Sequence, residues 1–248
     1  MSERLSKYID LAELQAYLQV IPHPRWKPLP RQQHYAVGGS SFYGCPHKEQ
    51  KMGNVVPMVR GSYFHGYYIP LIMKFIGLEG NLEELYRVFL YCDRCKSEDF
   101  IFGGSVDAVI PEKKWLFDVK FSTTNPTQEE MERRYGLQVA GYKLMVENGE
   151  KKIDGEWIKS EVKIDTTSII NFRIVWDESI DNFTFTPREY IIKPIPAAEI
   201  VGLATAFHYA RKHKIDCYRA NEYCRYCNKK YKCRRNKLLD EVFMPNDN

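Results

Sequence analysis

The stretch that most constrains the fold runs from Gly103 to Phe121 and reads GGSVDAVIPEKKWLFDVKF. Two short runs rich in Val, Ile, Trp and Phe flank a polar PEKK turn, a pattern typical of a β-hairpin. Pairing outward from the centre of that turn places Ile110 opposite Trp115 and Asp107 opposite Asp118. The sequence therefore predicts a hairpin on which two carboxylates face each other.

Strand alternation divides the second half of this hairpin into two faces. Asp118 and Lys120 share one face with Leu116. The other face is apolar throughout and carries Trp115, Phe117, Val119 and Phe121. We therefore expect the apolar face to pack against the core.

The two facing carboxylates admit two interpretations. Like charges directly opposite on a sheet cost on the order of 0.2–1 kcal/mol, so a hairpin selected only for stability would avoid them. A divalent cation between them reverses the sign, because Mg²⁺ and Mn²⁺ prefer carboxylate oxygens, and a nearby Lys can hold water or offset phosphate charge. The hairpin alone leaves open the alternative of a solvated face with an Asp-Lys neighbour pair.

Composition indicates an ordinary globular protein, with 44% hydrophobic and 27% charged residues. No apolar run reaches membrane-spanning length, and the start MSERLSKYIDL lacks the apolar region of a signal peptide, so we expect a cytoplasmic location. The net charge of +4 permits a nucleic-acid partner without requiring one. Six Lys and Arg residues fall within 229–237, a cluster that can hold phosphates or form a solvated tail.

Seven cysteines in a chain without a recognisable secretory signal favour metal binding over disulfides. Cys224, Cys227 and Cys233 form a C-x2-C-x5-C cluster whose thiolates can converge on one metal or iron–sulfur centre. One ligand of a set of four is missing, and Cys45, in a turn of its own, is the best candidate. A structural zinc with Cys217 or a His as its fourth ligand is the alternative.

A separate C-x2-C pair, Cys92 and Cys95, lies between two predicted strands at 85–91 and 99–110. It could form a metal knuckle only with two further ligands, and none is adjacent in the sequence. We interpret it as a hairpin tip with free thiols.

Apolar spacing predicts helices over 10–21, over 61–78 and over 196–212. A further helix opens at a capping box, Thr127-x-x-Glu130. Alternating segments within 156–193 predict additional strands.

Two polar features on these helices do not by themselves distinguish a functional site from ordinary helix packing. Gln138 and Tyr142 are one helical turn apart and share a face, which is also typical of an ordinary amphipathic helix. His65 lies near the start of its helix, where a histidine beside aromatics is more often packed than a ligand.

Taken together, these motifs resemble the RecB-like branch of the PD-(D/E)xK nucleases, in the form that also carries an iron–sulfur cluster. The CRISPR-associated Cas four exonucleases and the nuclease part of AddB are members of that branch. The matching positions follow the order of the family's motifs: Cys45, His65, Asp107, Asp118-Val119-Lys120, Gln138-x3-Tyr142, and the triplet Cys224, Cys227 and Cys233. Asp118 stands where many members carry Glu, and the Cys92/Cys95 pair has no counterpart in the shared pattern.

The resemblance implies one nuclease domain over 1–248, of α/β (α+β) class. Its PD-(D/E)xK restriction-endonuclease-like core would be a mixed central sheet flanked by helices. A cysteine-rich iron–sulfur appendage, formed by Cys45 and 217–237, would close the N- and C-terminal parts together. The implied ligands of its 4Fe-4S cluster are Cys45, Cys224, Cys227 and Cys233.

The resemblance also implies the residues of the active site. A Mg²⁺ or Mn²⁺ ion would be held by His65, Asp107, Asp118 and the Val119 carbonyl. The implied catalytic residues are Asp107, Asp118, Lys120, Gln138 and Tyr142.

The implied activity is that of a metal-dependent DNA exonuclease acting on single-stranded DNA from the 5′ end, in CRISPR adaptation or in viral or phage DNA processing and recombination. Its partners would be DNA and CRISPR integrase proteins or other recombination proteins, without a membrane. The alternative from another class is a non-catalytic DNA-binding or adaptor module with a structural zinc or iron–sulfur site. Against that alternative, every catalytic position of the family is filled.

Overall fold

The structure is a computed structural model, and it describes residues 10–19, 66–75, 84–92, 95, 98–177 and 182–213. Within these ranges the chain is of mixed α and β class, with four helices and two four-stranded sheets. The α+β class is as predicted. The predictions made for Cys45, His65 and the segment 217–237 lie outside the described residues.

The helices and strands follow one another in this order: α1 (Leu11–Gln19), α2 (66–75), β1 (Glu84–Cys92), β2 (Glu98–Val106), β3 (Ala108–Ile110), β4 (Trp115–Ser122), α3 (Gln128–Asn148), β5 (Glu150–Ile153), β6 (Glu156–Lys159), β7 (Thr166–Asp177), β8 (Asn182–Ile191) and α4 (Ala197–Lys212). All four helices lie where apolar spacing and the capping box predict them.

The first sheet has the strand order β2-β1-β5-β6, and its neighbouring strands are antiparallel. The second has the order β3-β4-β7-β8 and is mixed, because β4 and β7 run parallel. A parallel pair needs a long crossover, and the crossover between β4 and β7 contains α3. The chain thus forms two sheets where a single central sheet was expected.

The bend at Asp107 explains the second sheet. β2 ends at Val106 and β3 begins at Ala108, so the two strands are separated by this one residue. β2 pairs with β1 in the first sheet, whereas β3 pairs with β4 in the second. The chain therefore passes from one sheet to the other at Asp107.

The predicted hairpin is present in the predicted register. Ile110 lies opposite Trp115, and the ladder continues outward to Ala108. The turn is a 3₁₀ turn over Pro111–Lys113, followed by Lys114 in the left-handed conformation with φ of 48°. Asp107 is the next residue outward, beyond the last paired position.

β4 is buried on both faces, which corrects the expectation that only its apolar face packs against the core. Leu116, on the face predicted to be polar, is as fully buried as Trp115. β4 lies inside its sheet, between β3 and β7. One apolar core, which includes residues of α3, covers the Leu116 face, and a second core with residues of α1 and α2 covers the other.

α3 is the helix on which the two sheets converge. It contacts β1, β2 and β5 of the first sheet and β4 and β7 of the second. Its start is fixed by the predicted capping box: Glu130 N–H donates to Thr127 Oγ1 at 3.2 Å, and Thr127 N–H donates to Glu130 Oε2 at 2.8 Å. The position of α3 therefore determines which side chains cover the Leu116 face of β4.

A buried polar bond also ties β4 to β7. Trp115 Nε1 donates to Ser168 Oγ at 2.8 Å, and both side chains are inaccessible to solvent. We expect Ser168→Ala to lower the free energy of unfolding by about 1–3 kcal/mol, because the indole N–H loses this acceptor. Urea unfolding followed by circular dichroism measures the change.

Ser105→Ala is the matched control. The Ser105 hydroxyl oxygen is buried and makes no hydrogen bond within the described part of the chain. Its removal should leave the free energy of unfolding within about 0.5 kcal/mol of the wild-type value. Equal effects of the two substitutions would contradict the assigned role of the Ser168 bond.

Candidate active site

Three charged residues of the predicted motif meet at the hairpin. Asp107 Oδ2 accepts a hydrogen bond from the backbone N–H of Val119 at 2.8 Å. Val119 stands between Asp118 and Lys120 in the chain, so this bond fixes the Asp107 carboxylate beside the Asp-x-Lys segment. Asp107 and Asp118 are 7% and 1% exposed. The interpretation of a solvated surface pair is therefore wrong.

Lys120 forms an ion pair with the second carboxylate. Its Nζ lies 2.5 Å from Asp118 Oδ2, and the Lys120 side chain retains 17% of its exposure. The ammonium therefore lies at the margin of the buried site, and the Asp118 carboxylate lies inside it.

The charge state of Lys120 follows from its surroundings. Burial by itself lowers the pKa of Lys120, because desolvation disfavours the charged amine. The negative charges of Asp118 and Asp107, together with the hydrogen bond to Asp118, outweigh this penalty, so the pKa of Lys120 is raised above its ordinary value. Lys120 is therefore an ammonium at neutral pH, able to donate hydrogen bonds and unable to accept a proton.

α3 carries the predicted pair of polar side chains. Gln138 Nε2 donates to the Tyr142 hydroxyl at 2.6 Å, as their four-residue spacing predicts, and both side chains are buried. A Cβ placed on Gly104 would lie 3.8 Å from Tyr142 Cε1, so this face of α3 lies against β2 shortly before Asp107. The predicted Gln-Tyr pair is thus formed and faces the strand that leads into the site.

Sequence reasoning missed Tyr135, whose ring centroid lies 5.1 Å from Lys120 Nζ. Tyr135 precedes Gln138 by three residues and Tyr142 by seven, which places all three on one side of α3. That spacing is a signal that could have indicated it. Tyr135 thus provides a direct contact between α3 and Lys120 of β4.

Other predicted members of the site are not described. His65 precedes the first described residue of α2, and Cys45, Cys224, Cys227 and Cys233 lie in ranges outside the described residues. Across the described ranges, no three His, Cys, Asp or Glu side chains are arranged to hold a metal ion. Of the predicted ligands for Mg²⁺ or Mn²⁺, the described residues include Asp107, Asp118 and Val119 with its carbonyl.

Comparison with known proteins shows a likeness to solved structures. No protein-family model matches the chain, and no curated protein matches it. The crystal structure of SSO0001 is similar, with a TM-score of 0.53 and 12% sequence identity over 90% of this chain and 94% of that chain. At this identity the likeness concerns the fold, and it extends over nearly the whole of both chains.

None of the described helices is both long enough and apolar enough to cross a bilayer.

The buried ion pair predicts strong energetic coupling between its members. Asp118→Asn and Lys120→Met each leave a charged partner in a poorly solvated place, whereas the double variant removes both charges. We expect the free energy of unfolding of the double variant to be about 1–3 kcal/mol higher than the value obtained by adding the two single losses. Urea unfolding at neutral pH in the presence of EDTA measures all three free energies of unfolding.

The exposed pair Lys114 and Asp165 is the matched control. Their charged atoms are 3.5 Å apart, and the side chains are 56% and 68% exposed. The same substitutions there should show coupling close to zero, because solvent screens the interaction. Additive effects at Asp118 and Lys120 would show that this pair is not the energetic unit described above.

Proposed function

We propose that this protein is a Mg²⁺- or Mn²⁺-dependent deoxyribonuclease. The observation that carries the proposal is the bond from the Val119 N–H to Asp107, which gathers two buried carboxylates and a charged lysine at one hairpin. Burying such charges contributes little to stability even when they are paired. Their arrangement is therefore better explained by chemistry than by folding.

The donor set fits a hard divalent cation. Asp107 and Asp118 would hold the ion with the Val119 carbonyl, and His65 would be a further ligand. Carboxylate and carbonyl oxygens are the ligands that Mg²⁺ and Mn²⁺ prefer. Such an ion, when bound, polarises a scissile phosphate and lowers the pKa of bound water.

The other residues of the site would act on the substrate and on water. Lys120 carries a proton and lies at the solvent-side margin of the site, so it would donate hydrogen bonds to the attacking water or to phosphate oxygens as negative charge develops. The bonded pair Gln138 and Tyr142 would support the position of α3 beside the substrate. Tyr135 would hold the Lys120 ammonium in position through the contact with its ring.

The wider proposal combines this site with the resemblance of the motifs. β3, β4 and β7 would form the centre of a PD-(D/E)xK core, with the carboxylates at the β3–β4 edge. The cysteine-rich end would carry a 4Fe-4S cluster with Cys45. The substrate would be single-stranded DNA degraded from its 5′ end, within CRISPR adaptation or viral DNA processing and in company with integrase or recombination proteins in the cytoplasm.

A nuclease assay tests the site. Asp107→Asn, which keeps an oxygen acceptor for the Val119 N–H, and Lys120→Ala should each lower cleavage of end-labelled single-stranded DNA in Mn²⁺ by at least about 100-fold. Lys114→Ala and Asp165→Ala provide matched controls, since they remove the same charge types from the exposed side of this hairpin region. Wild-type cleavage by either site variant would exclude the assignment, and an inactive wild-type protein would favour the adaptor alternative.

A second test concerns the cysteine-rich end. Cys227→Ser should lose the brown colour of an anaerobic preparation, together with iron and acid-labile sulfide, because one cluster ligand is removed. Conversion of Thr123, an exposed residue after β4, to Ser leaves all cysteines in place and should retain the colour. A colourless wild-type preparation that contains zinc would contradict the iron–sulfur proposal.

A further inference from the structure

The C-x2-C pair lies in the connection of the β1–β2 hairpin with free thiols, as predicted, but it is buried. Cys92 ends β1 and Cys95 lies in the connection to β2; their thiols are free, and the residues are 0% and 5% exposed. The two side chains are within hydrogen-bonding distance of each other. Burial, and after it the neighbouring Cys92, raises the pKa of the Cys95 thiol. Two sulfur donors are thus gathered in a protected position.

The fold brings an imidazole to this pair from far along the chain. His213 follows the last residue of α4, and its N–H donates to the Tyr209 carbonyl at 3.0 Å, so it continues the final turn of the helix. His213 Nε2 lies 4.0 Å from Cys95 Sγ, although the residues are 118 positions apart. The tertiary structure therefore brings to the C-x2-C motif a possible third ligand that is not adjacent to it in the sequence.

A second imidazole, His208, lies on the same end of α4. Its ring stacks on Phe100 of β2 with centroids 4.3 Å apart and an angle of 8° between the planes. Its Nε2 is buried and makes no hydrogen bond within the described residues. A buried imidazole nitrogen with no hydrogen-bond partner among the described residues is available to a metal ion.

We propose that Cys92, Cys95, His208 and His213 form a zinc-binding site of the Cys₂His₂ type. The spacings C-x2-C and H-x4-H are those of four-ligand zinc sites, and a set made only of sulfur and imidazole nitrogen suits Zn²⁺ rather than Mg²⁺. As they stand, the side chains surround no common centre, so binding draws His213 toward the thiols, which release their protons to solvent. The ion would fasten α4 to the β1–β2 connection.

This inference does not depend on the proposed nuclease activity, because it uses other residues on another part of the fold. It concerns the helix that immediately precedes the cysteine-rich end of the chain. The ion would hold the end of α4 at a fixed place on the first sheet. The segment after α4 would then start from a fixed point.

Metal analysis of the full-length protein tests the site. After zinc loading and removal of loosely bound metal, the wild type should retain about one zinc ion per chain in addition to any iron. The double variant Cys92→Ser/Cys95→Ser should lose that zinc with iron and acid-labile sulfide unchanged. His213→Ala and His208→Ala should each weaken zinc affinity by at least about tenfold in competition with a chelator. Loss of a residue that only orients a metal ligand already has an effect of about that size, and loss of a ligand should have at least as much.

Cobalt gives an independent signature. Co²⁺ bound by two thiolates in a tetrahedral site should add a sulfur-to-cobalt charge-transfer band to the wild-type difference spectrum, and the double cysteine variant should lack it. Val88→Ala is the control, because it removes a buried side chain without donor atoms from the same face of β1. It should keep both zinc and the cobalt spectrum.

His213 is exposed, so His213→Ala keeps the test decisive even if the cysteine variant fails to fold. Zinc retained undiminished by His213→Ala or by the cysteine variant would overturn the proposal, since the ion would then bind elsewhere. A wild type that takes up no zinc overturns it as well. Loss of zinc from Val88→Ala to the same extent would show a general packing effect and would also overturn it.

Discussion

The burial of β4 on both faces is the constraint on which the rest of the structure depends. An interior strand of this kind is ordinarily apolar throughout, yet β4 carries Asp118 and Lys120 on the face beneath α3. Neither charge would be tolerated there alone, because the desolvation penalty for an ion in a protein interior amounts to several kcal/mol. The two must therefore lie together, and Asp107 must be held by a fixed donor, the N–H of Val119.

The bend at Asp107 couples this site to the architecture. Because the chain changes sheets there, the residue that ends one ladder and precedes the next is released from strand pairing. Its carboxylate is then available to the backbone of β4. Any shift of one sheet relative to the other would move this carboxylate with respect to Asp118. α3 contacts both sheets and therefore opposes such a shift.

The fold also separates two kinds of donor. The hairpin gathers carboxylate oxygens and an ammonium, which suit hard cations and phosphates. The junction of β1, β2 and α4 gathers sulfur and imidazole nitrogen at Cys92, Cys95 and His213, which suit softer cations. Ligand chemistry alone would therefore direct different metals to the two places. The two proposals assign the first set to reaction and the second to holding the end of α4.

The sequence by itself determined the features that depend on near neighbours in the chain. The register of the hairpin, the four helices and the Gln138–Tyr142 bond follow from strand alternation and helical spacing. The sequence did not predict the β5–β6 hairpin because each of its strands has only four residues and is largely polar, although the turn at Asp154-Gly155, with φ of 51° and 92°, is a recognisable hairpin signal.

Only the tertiary structure decided the second covered face of β4, the contact of Tyr135 with Lys120, and the approach of His213 to Cys95. Each of these depends on which elements pack together. Local periodicity describes the faces that an element has, but it does not specify what covers them. Loop closure brings together residues more than a hundred positions apart, and the spacing of those residues in the sequence carries no record of it.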